Sequence, residues 1–100
     1  MYARLLTVQF PELTDEQAEL GSKTYGEIVP QGVRDLEGFE EVMLLVDQPG
    51  SRIISISLWK DKDCCEAGAD NAARLAQTVL QKASLRGDVT IDSFEVPVRA

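Results

Sequence analysis

The sequence predicts an α+β fold whose elements follow the order strand, helix, strand, strand, helix, strand. Three observations predict it. Residues typical of strands fill the segments 2–10, 39–59 and 89–98. Between these segments, small and apolar residues recur every three or four positions, as they do on the buried stripe of an amphipathic helix. A Pro-Gly pair divides the middle strand segment in two and predicts a hairpin.

The first strand is predicted from alternation over residues 2–10. One face carries Tyr2, Arg4, Leu6, Val8 and Phe10, and the other carries Ala3, Leu5, Thr7 and Gln9. Pro11 lacks the amide hydrogen that a further ladder bond needs, so we expect the strand to end before it.

A capping pattern marks the start of the first helix. Thr14 and Gln17 form a capping box, in which each side chain bonds the amide of the other residue. The inner stripe of this helix consists of Ala18, Gly21, Tyr25 and Ile28. Proline disfavours helical geometry in the residue before it, so Pro30 predicts that the helix ends there and that residues 31–38 form a connector.

The segments 39–47 and 52–59 are predicted to pair as a hairpin. Pro49 and Gly50 fit the central positions of a type II turn, in which Gly50 takes a positive φ. Pairing that is symmetric about this turn sets four pairs on one face: Val46 with Ile53, Leu44 with Ser55, Val42 with Ser57, and Glu40 with Trp59. The other face receives Phe39, Glu41, Met43, Leu45, Ile54, Ile56 and Leu58. Both faces carry apolar side chains, so we expect both to be covered.

The second helix follows the hairpin, and the last strand covers residues 89–98. Asp63 and Glu66 resemble a second capping box, and Gly68 is a position where the helix can be interrupted. The apolar stripe of the helix consists of Ala72, Leu75, Ala76, Val79, Leu80 and Ala83. Gly87 follows basic residues at the helix end and fits the C′ position.

This order of elements is the split βαβ pattern of ferredoxin-like folds, βαββαβ. Right-handed crossovers place both helices on one face of a four-stranded antiparallel sheet. The opposite face is left bare, and it carries Met43, Leu45, Ile54, Ile56 and Leu58. An apolar patch of this size needs a partner. The sequence therefore predicts a homodimer that packs sheet against sheet.

Length and composition indicate one globular domain and exclude several kinds of site. One hundred residues is the size of a single domain, which spans residues 1–100. The chain has no histidine, so it lacks imidazole as a general base, metal ligand or haem ligand. The net charge is -7 and no basic cluster occurs, so we expect neither nucleic acid nor an anionic membrane as a partner.

Charge distribution and cysteine usage add to this description. Nine acids and two bases fall within residues 12–41, which we interpret as a solvated helix face and its exit loop. No apolar run reaches the roughly 18 residues of a membrane helix, and no signal-peptide pattern begins the chain. Cys64 and Cys65 are adjacent and cannot link distant segments. We expect a protein of the reducing cytoplasm that binds no metal.

Several runs of the sequence resemble a known superfamily. They are Ile28-Val29-Pro30, Gly38-Phe39 at the end of the connector, the strand from Val42 to Asp47, and Ile54 to Trp59. Together with the order of elements, they resemble the dimeric α+β barrel superfamily, and within it the antibiotic-biosynthesis-monooxygenase-like (ABM) domains. The resemblance implies a single ABM-like domain over residues 1–100. It also implies a dimeric barrel with a ligand cleft between the sheet and the helices of each subunit.

The resemblance implies several activities, and the fold alone does not choose among them. Members of the superfamily include cofactor-free oxygenases of aromatic polyketide-like substrates, haem-degrading oxygenases, quinol oxygenases and domains of unassigned role. The haem-degrading members use an asparagine in the first strand, a tryptophan and an iron-ligating histidine early in the second helix. Here Thr7 or a neighbour replaces the asparagine, and residues 66–70 contain no histidine. We therefore expect no cofactor.

Candidate cleft residues follow from the hairpin register and from the resemblance. Ser55 and Ser57 are small and leave volume beneath the helices, and Thr7 is included in the cleft as the residue in the asparagine's place. Trp59 matches the cleft tryptophan of the superfamily. Its alternative role is to pack the end of the sheet under Cys64 or Gly68.

Three more residues are candidate catalytic groups beside Trp59. Tyr25 lies on the inner stripe of the first helix, and Asn71 and Arg74 lie at the start of the long second helix. Each has a structural alternative: a core tyrosine with its hydroxyl at the rim, a helix N-cap and a solvated helix cation, respectively. No strong basic group is evident among them.

Two functions from different classes follow. The first is a cofactor-independent monooxygenase-like protein acting on a small aromatic or quinone-type substrate, whose own electrons reduce oxygen once it is deprotonated. The second is a non-catalytic dimeric domain that binds a small apolar or aromatic molecule or another protein. Isomerase or dehydratase chemistry on the same scaffold is a third alternative. Open space around Ser55, Ser57 and Trp59 favours the first, because large helix side chains there would remove its site.

Overall fold

The four strands of the computed structural model, which describes residues 1–100, form one antiparallel sheet with the helices on one face. The elements are β1 (Tyr2–Gln9), α1 (Asp15–Val33), β2 (Phe39–Asp47), β3 (Arg52–Trp59), α2 (Lys62–Ala67), α3 (Ala69–Lys82) and β4 (Asp88–Glu95). The strand order is β2-β3-β1-β4. This arrangement confirms the predicted ferredoxin-like α+β fold. None of the helices combines the length and the apolar character needed to span a membrane.

The register of the hairpin confirms three of the four predicted pairs, those of Val46, Leu44 and Val42. The fourth is wrong, because a β-bulge between Phe39 and Glu41 makes Phe39 the partner of Trp59 in place of Glu40. The Phe39 and Trp59 rings meet edge to face, with centroids 5.7 Å apart. The extra residue in β2 therefore brings an aromatic ring, and not a carboxylate, against the indole.

The hairpin turn also differs from the prediction. Ser51 adopts the left-handed conformation, with φ of 54°, whereas Gly50 has no positive φ. The Ser51 amide donates to the Gln48 carbonyl at 3.0 Å. Asp47 explains the shift, since its carboxylate accepts from the Gly50 amide at 3.0 Å and from Arg52 Nε at 2.6 Å. The predicted type II turn is therefore wrong, although the hairpin and its register stand.

Helix α1 begins as predicted and ends one turn later than predicted. The capping box is present, with the Thr14 hydroxyl accepting from the Gln17 amide at 3.2 Å. Pro30 lies inside the helix and does not end it. A proline inside a helix loses the hydrogen bond that its amide would donate and crowds the carbonyl four residues earlier, at a cost of about 3 kcal/mol. Val29 and Val33, on either side of Pro30, are both buried in a cluster with Val79, and this burial favours continuing the helix.

The second helical region is divided at Gly68, as the sequence predicts, but its ends differ. Asp61 is the N-cap of α2 and accepts from the Cys64 amide at 2.9 Å, so the predicted capping box at Asp63 and Glu66 is wrong. At the other end, the left-handed residue after α3 is Ser84 and not Gly87. Gly87 serves close packing instead, because a Cβ there would lie 2.6 Å from Val8 Cγ1 in β1.

The buried core lies between the helices and the sheet in two clusters. The larger consists of Leu6, Val8, Phe10, Leu13, Ala18, Ile53, Leu80, Ala83 and Leu85. The smaller consists of Val29, Val33 and Val79. We call the sheet surface on the side away from the helices the outer face. It carries Met43, Leu45 and Phe94, with 37%, 44% and 51% of their surface exposed.

Gly38 closes the connector between α1 and β2 and permits a test of this packing. Its φ is 77°, and a Cβ there would lie 2.5 Å from Cys64 Sγ. We expect Gly38→Ala to lower the free energy of unfolding by about 2 kcal/mol, because strain and overlap add. Urea unfolding followed by circular dichroism measures it.

Gly26 provides the matched control, since it lies within α1 and a Cβ there would meet no atom within 4 Å beyond the adjacent residues and backbone of its own helix. Gly26→Ala should raise the free energy of unfolding by about 0.5–1 kcal/mol through helix propensity. A Gly38→Ala variant as stable as the unmodified protein would show that the close approach of Cys64 is wrong.

Candidate ligand cavity

A cavity of about 80 Å³ lies between the sheet and the helices. This volume accommodates a few water molecules, and it is smaller than the roughly 300 Å³ at which pockets for drug-sized ligands begin. The lining is apolar except at Arg4, Tyr25, Ser55 and Ser57. The open space expected around the two serines is therefore present, although a polycyclic ligand fits only if lining side chains move.

Strand β3 supplies one wall of the cavity through alternate residues. Ser55, Ser57 and Trp59 face the helices, while Ile54, Ile56 and Leu58 occupy the outer face. Successive residues on one face of a strand lie about 7 Å apart. Because the two serines stand where larger side chains would reach α1 and α3, the sheet and helices do not fill the space between them.

Tyr25 reaches from α1 across the cavity to the same strand. Its hydroxyl lies 2.6 Å from Ser55 Oγ and also donates to the Met43 carbonyl at 3.4 Å. Burial raises the pKa of the phenol, and the hydrogen bond with Ser55 opposes that rise. Tyr25 is therefore a neutral phenol at physiological pH, able to donate or accept a hydrogen bond but not to act as an anionic base.

Trp59 lines the cavity and also packs the end of the sheet. Its side chain is buried, and Nε1 donates to Ser57 Oγ at 2.8 Å. The indole lies against the α2–α3 junction so closely that a Cβ at Gly68 would be 3.0 Å from the ring. Trp59 therefore packs under Gly68, which is its structural alternative. The same ring also borders the cavity.

Arg4 also lines the cavity, although no sequence pattern marked it as a site residue. It lies on the helix-facing side of β1 with only 3% of its surface exposed. Its Nη2 donates to the Cys65 carbonyl and lies 3.8 Å from Cys65 Sγ, and the guanidinium carbon is 5.1 Å from the Trp59 ring centroid. Its Nε is buried without a hydrogen-bond partner.

No carboxylate balances the charge of Arg4. The three ion pairs of the structure join other residues on the surface. Across the sheet, Arg4 stands opposite Ser57 in β3 and Ser93 in β4. Burial lowers the pKa of Arg4, but arginine remains a cation at neutral pH because its ordinary pKa is so high. An unpaired buried charge costs several kcal/mol. The signal that could have marked Arg4 is its place on the strand face that also carries Leu6, Val8 and Phe10.

Three predicted site residues do not line the cavity. Thr7 pairs with Ile54 and Thr90 on the outer face. Strand alternation points its side chain away from the cavity, on the other face of β1 from Leu6 and Val8. Asn71 Nδ2 donates to the Gly32 carbonyl at 3.2 Å, and Arg74 Nη2 donates to Asn71 Oδ1 at 2.6 Å. These two form a link between α3 and α1 outside the cavity.

The break at Gly68 explains the position of Asn71 and Arg74. Because α3 begins after Gly68, its helical phase turns Ala72, Leu75 and Ala76 toward the cavity. Asn71 and Arg74 then lie at the side of the helix. Asn71 is also not an N-cap, since the residue preceding α3 is Gly68 and Asn71 lies within the helix.

No family model matches this chain, and no curated protein matches it in sequence. Solved structures do match. A dimeric ferredoxin-like protein from an uncultured marine organism has a TM-score of 0.72 and 12% identity, over 99% of this chain and 96% of that one. The haem degrader MhuD of Mycobacterium tuberculosis has a TM-score of 0.70 and 17% identity, over 100% and 99% of the two chains.

A third match carries a different activity. SnoaB of Streptomyces nogalater, a cofactor-independent oxygenase, aligns with a TM-score of 0.62 and 14% identity, over 98% of this chain and 94% of that one. The chain shares the fold of these proteins. The resemblance to antibiotic-biosynthesis monooxygenases is thereby confirmed for the architecture, while the differing activities leave the chemistry to be argued from the cavity.

Haem does not fit the residues of this cavity. Haem iron in proteins is held by histidine, cysteine, methionine or tyrosine. The chain has no histidine, Cys65 is fully buried beside Arg4, and the Tyr25 hydroxyl is bonded to Ser55. Neither methionine lines the cavity.

The buried phenol of Tyr25 predicts how stability depends on pH. Its pKa is raised in the folded protein, so the unfolded chain loses the proton first as the pH rises through about 10, and folding then loses stability. We expect Tyr25→Phe to reduce this loss at alkaline pH, measured by urea unfolding at neutral pH and above pH 10. Tyr2→Phe should leave the Tyr25 contribution in place. An identical alkaline decline in Tyr25→Phe would contradict the buried phenol.

Proposed function

We propose that this protein is a cofactor-independent monooxygenase that acts on a small aromatic or quinone-type substrate bound in the cavity. The observation that carries the proposal is the composition of that cavity, an apolar space bordered by an indole, a phenol and two serine hydroxyls. SnoaB, which shares the fold, is a cofactor-independent oxygenase. The absence of histidine argues against the haem chemistry of MhuD.

The chemistry uses the substrate as the reductant. An electron-rich phenol or enol that has lost its proton transfers electrons to dioxygen, and one oxygen atom enters the product while the other leaves as water. The cavity contributes position and the exclusion of water. Tyr25 and Ser55 can hold a substrate oxygen, and Trp59 borders the ring. Since no side chain here is a strong base, the substrate itself must be acidic.

A second candidate is a non-catalytic binding domain of the same fold. It is favoured by the internal pairing of the polar groups, because Tyr25 already bonds Ser55 and Trp59 already bonds Ser57. Paired groups of this kind recognise a ligand or stabilise the apo protein without activating oxygen. Binding without turnover separates this candidate from the first.

Oxygenation is tested with anthrone, whose enol form is an electron-rich phenol. The substrate's methylene group becomes a carbonyl, so anthrone and dioxygen give anthraquinone and water. We expect the protein to accelerate this conversion and, under ¹⁸O₂, to place one labelled atom in each product molecule. Anthrone exceeds the resting cavity, so its entry displaces the partly exposed lining residues Leu36 and Leu75.

Trp59→Phe should abolish the turnover of anthrone, because it removes both the larger ring and the bond to Ser57. Arg74→Met is the control, since Arg74 lies outside the cavity, and it should retain full activity. Equal rates for Trp59→Phe and the unmodified protein would assign the indole to packing alone. Saturable binding of anthrone with no acceleration would favour the non-catalytic candidate.

We also propose that the protein forms a homodimer through the outer face. The apolar residues there are Met43, Leu45, Ile54, Ile56, Leu58 and Phe94, and Met43, Leu45 and Phe94 are exposed. Arg99 of the C-terminal segment reaches only one end of this face, where it pairs with Glu41 at 2.9 Å. Burying about 400 Å² of apolar surface contributes roughly 10 kcal/mol before the costs of association. A structural neighbour is described as a dimeric ferredoxin-like protein. A second copy of this chain is a self-complementary partner for such a face.

Ile56→Glu tests the dimer by placing a carboxylate at the centre of the outer face. We expect the variant to be monomeric at low micromolar concentration in sedimentation velocity, because the buried charge would have no partner. Leu20→Glu is the control, since Leu20 is 46% exposed on α1, away from the sheet. An Ile56→Glu variant that stays dimeric would refute packing through this face.

A further inference from the structure

We infer that the cavity is an anion site, in which Arg4 binds an ionised oxygen of a ligand whose remaining body is apolar. The ligand class is an aromatic or cyclic carboxylate, phenolate or enolate. The inference rests on the proposed ligand cavity, but it holds whether the bound molecule is oxidised or only retained. It also adds a determinant of specificity that neither the resemblance nor the sequence patterns indicated.

The cavity carries one positive charge and no negative one. Arg4 and Tyr25 are its only ionisable lining residues, and the Tyr25 phenol is neutral. The overall charge of the chain is -7, yet none of its acidic side chains pairs with Arg4. A buried cation without a counterion attracts an anion of complementary size.

The guanidinium of Arg4 has hydrogen-bonding capacity that the chain does not use. Arginine has five N–H donors in a planar fork that matches a carboxylate or a single ionised oxygen. Within the chain, only Nη2 donates, and its oxygen acceptor is the Cys65 carbonyl. Nε is buried and has no partner. An arginine that served only to hold α2 against β1 would leave this buried donor unexplained.

The polar groups of the cavity lie at two places along β3. Arg4 stands opposite Ser57, which bonds the Trp59 indole, while Ser55 and Tyr25 form a second polar pair one step along β3. Positions two residues apart on a strand are about 7 Å apart. The lining between and around these groups is apolar. A ring that carries an ionised oxygen for Arg4 and a neutral polar group for Tyr25 would use both places.

The test compares two probes of equal size that differ in charge, naphthalene-2-carboxylate and naphthalene-2-carboxamide. Trp59 is the only tryptophan, so its indole N–H gives a single cross-peak in a ¹H–¹⁵N spectrum and reports on the cavity. We expect the carboxylate to bind the unmodified protein ten- to a hundredfold more tightly than the carboxamide. In Arg4→Met, the two affinities should be equal.

Arg52→Met is the matched control, because Arg52 pairs with Asp47 at the surface and does not line the cavity. It should keep the preference for the carboxylate. Equal affinities in the unmodified protein, or a preference that survives in Arg4→Met, would overturn the inference. The comparison in the unmodified protein decides even where Arg4→Met does not fold.

The two proposals fail in different ways. Turnover of anthrone together with equal affinities for the two probes would leave the oxygenase proposal standing and overturn the anion site. A tenfold preference for the carboxylate without turnover would support the anion site and remove the oxygenase. Failure of both probes to shift the indole cross-peak at millimolar concentration would overturn the anion site.

Discussion

The position of Trp59 against Gly68 is the contact on which the cavity depends. The indole ends β3, lies edge to face with Phe39 from β2, and lies beneath the guanidinium carbon of Arg4 from β1. It can approach the α2–α3 junction because Gly68 has no side chain. Three strands and the helix break therefore meet at one ring, and the space beside it stays open because Ser55 and Ser57 are small.

The cavity lowers the stability of the fold in two ways. Some of its lining residues belong to the larger apolar cluster and others belong to the smaller one. A filled core would be more stable, since each void removes dispersion contacts from the atoms around it. A charged guanidinium with an unpartnered Nε adds a further cost. Features that lower stability without improving packing are typical of sites where a molecule binds.

The sequence predicts the parts of this fold that local chemistry determines. The capping box at Thr14, the break at Gly68 and the alternation of β3 each depend on a few neighbouring residues, and each is observed. Two of the wrong predictions concern features that depend on distant contacts. Pro30 remains helical because Val29 and Val33 are buried against α3. The β-bulge at Phe39 brings that ring against Trp59, which no local pattern indicates.

The residues of the candidate site show the same difference between local and distant determinants. Ser55, Ser57 and Trp59 follow from strand alternation and do line the cavity, whereas Asn71 and Arg74 depend on the helical phase that begins at Gly68. The role of Arg4 could not be read from its own strand, because it depends on what its neighbours lack. Opposite it stand serines, and the nearest helix offers a carbonyl.

The alternation of β3 ties the cavity and the outer face to a single register. Even-numbered residues from Ile54 to Leu58 form the outer face, and odd-numbered residues from Ser55 to Trp59 border the cavity. A slip of one residue would exchange the two sets, filling the cavity with branched side chains and placing the serines on the outer face. The register in which β3 pairs during folding therefore determines both surfaces, and a chain that mispairs this strand loses the two together.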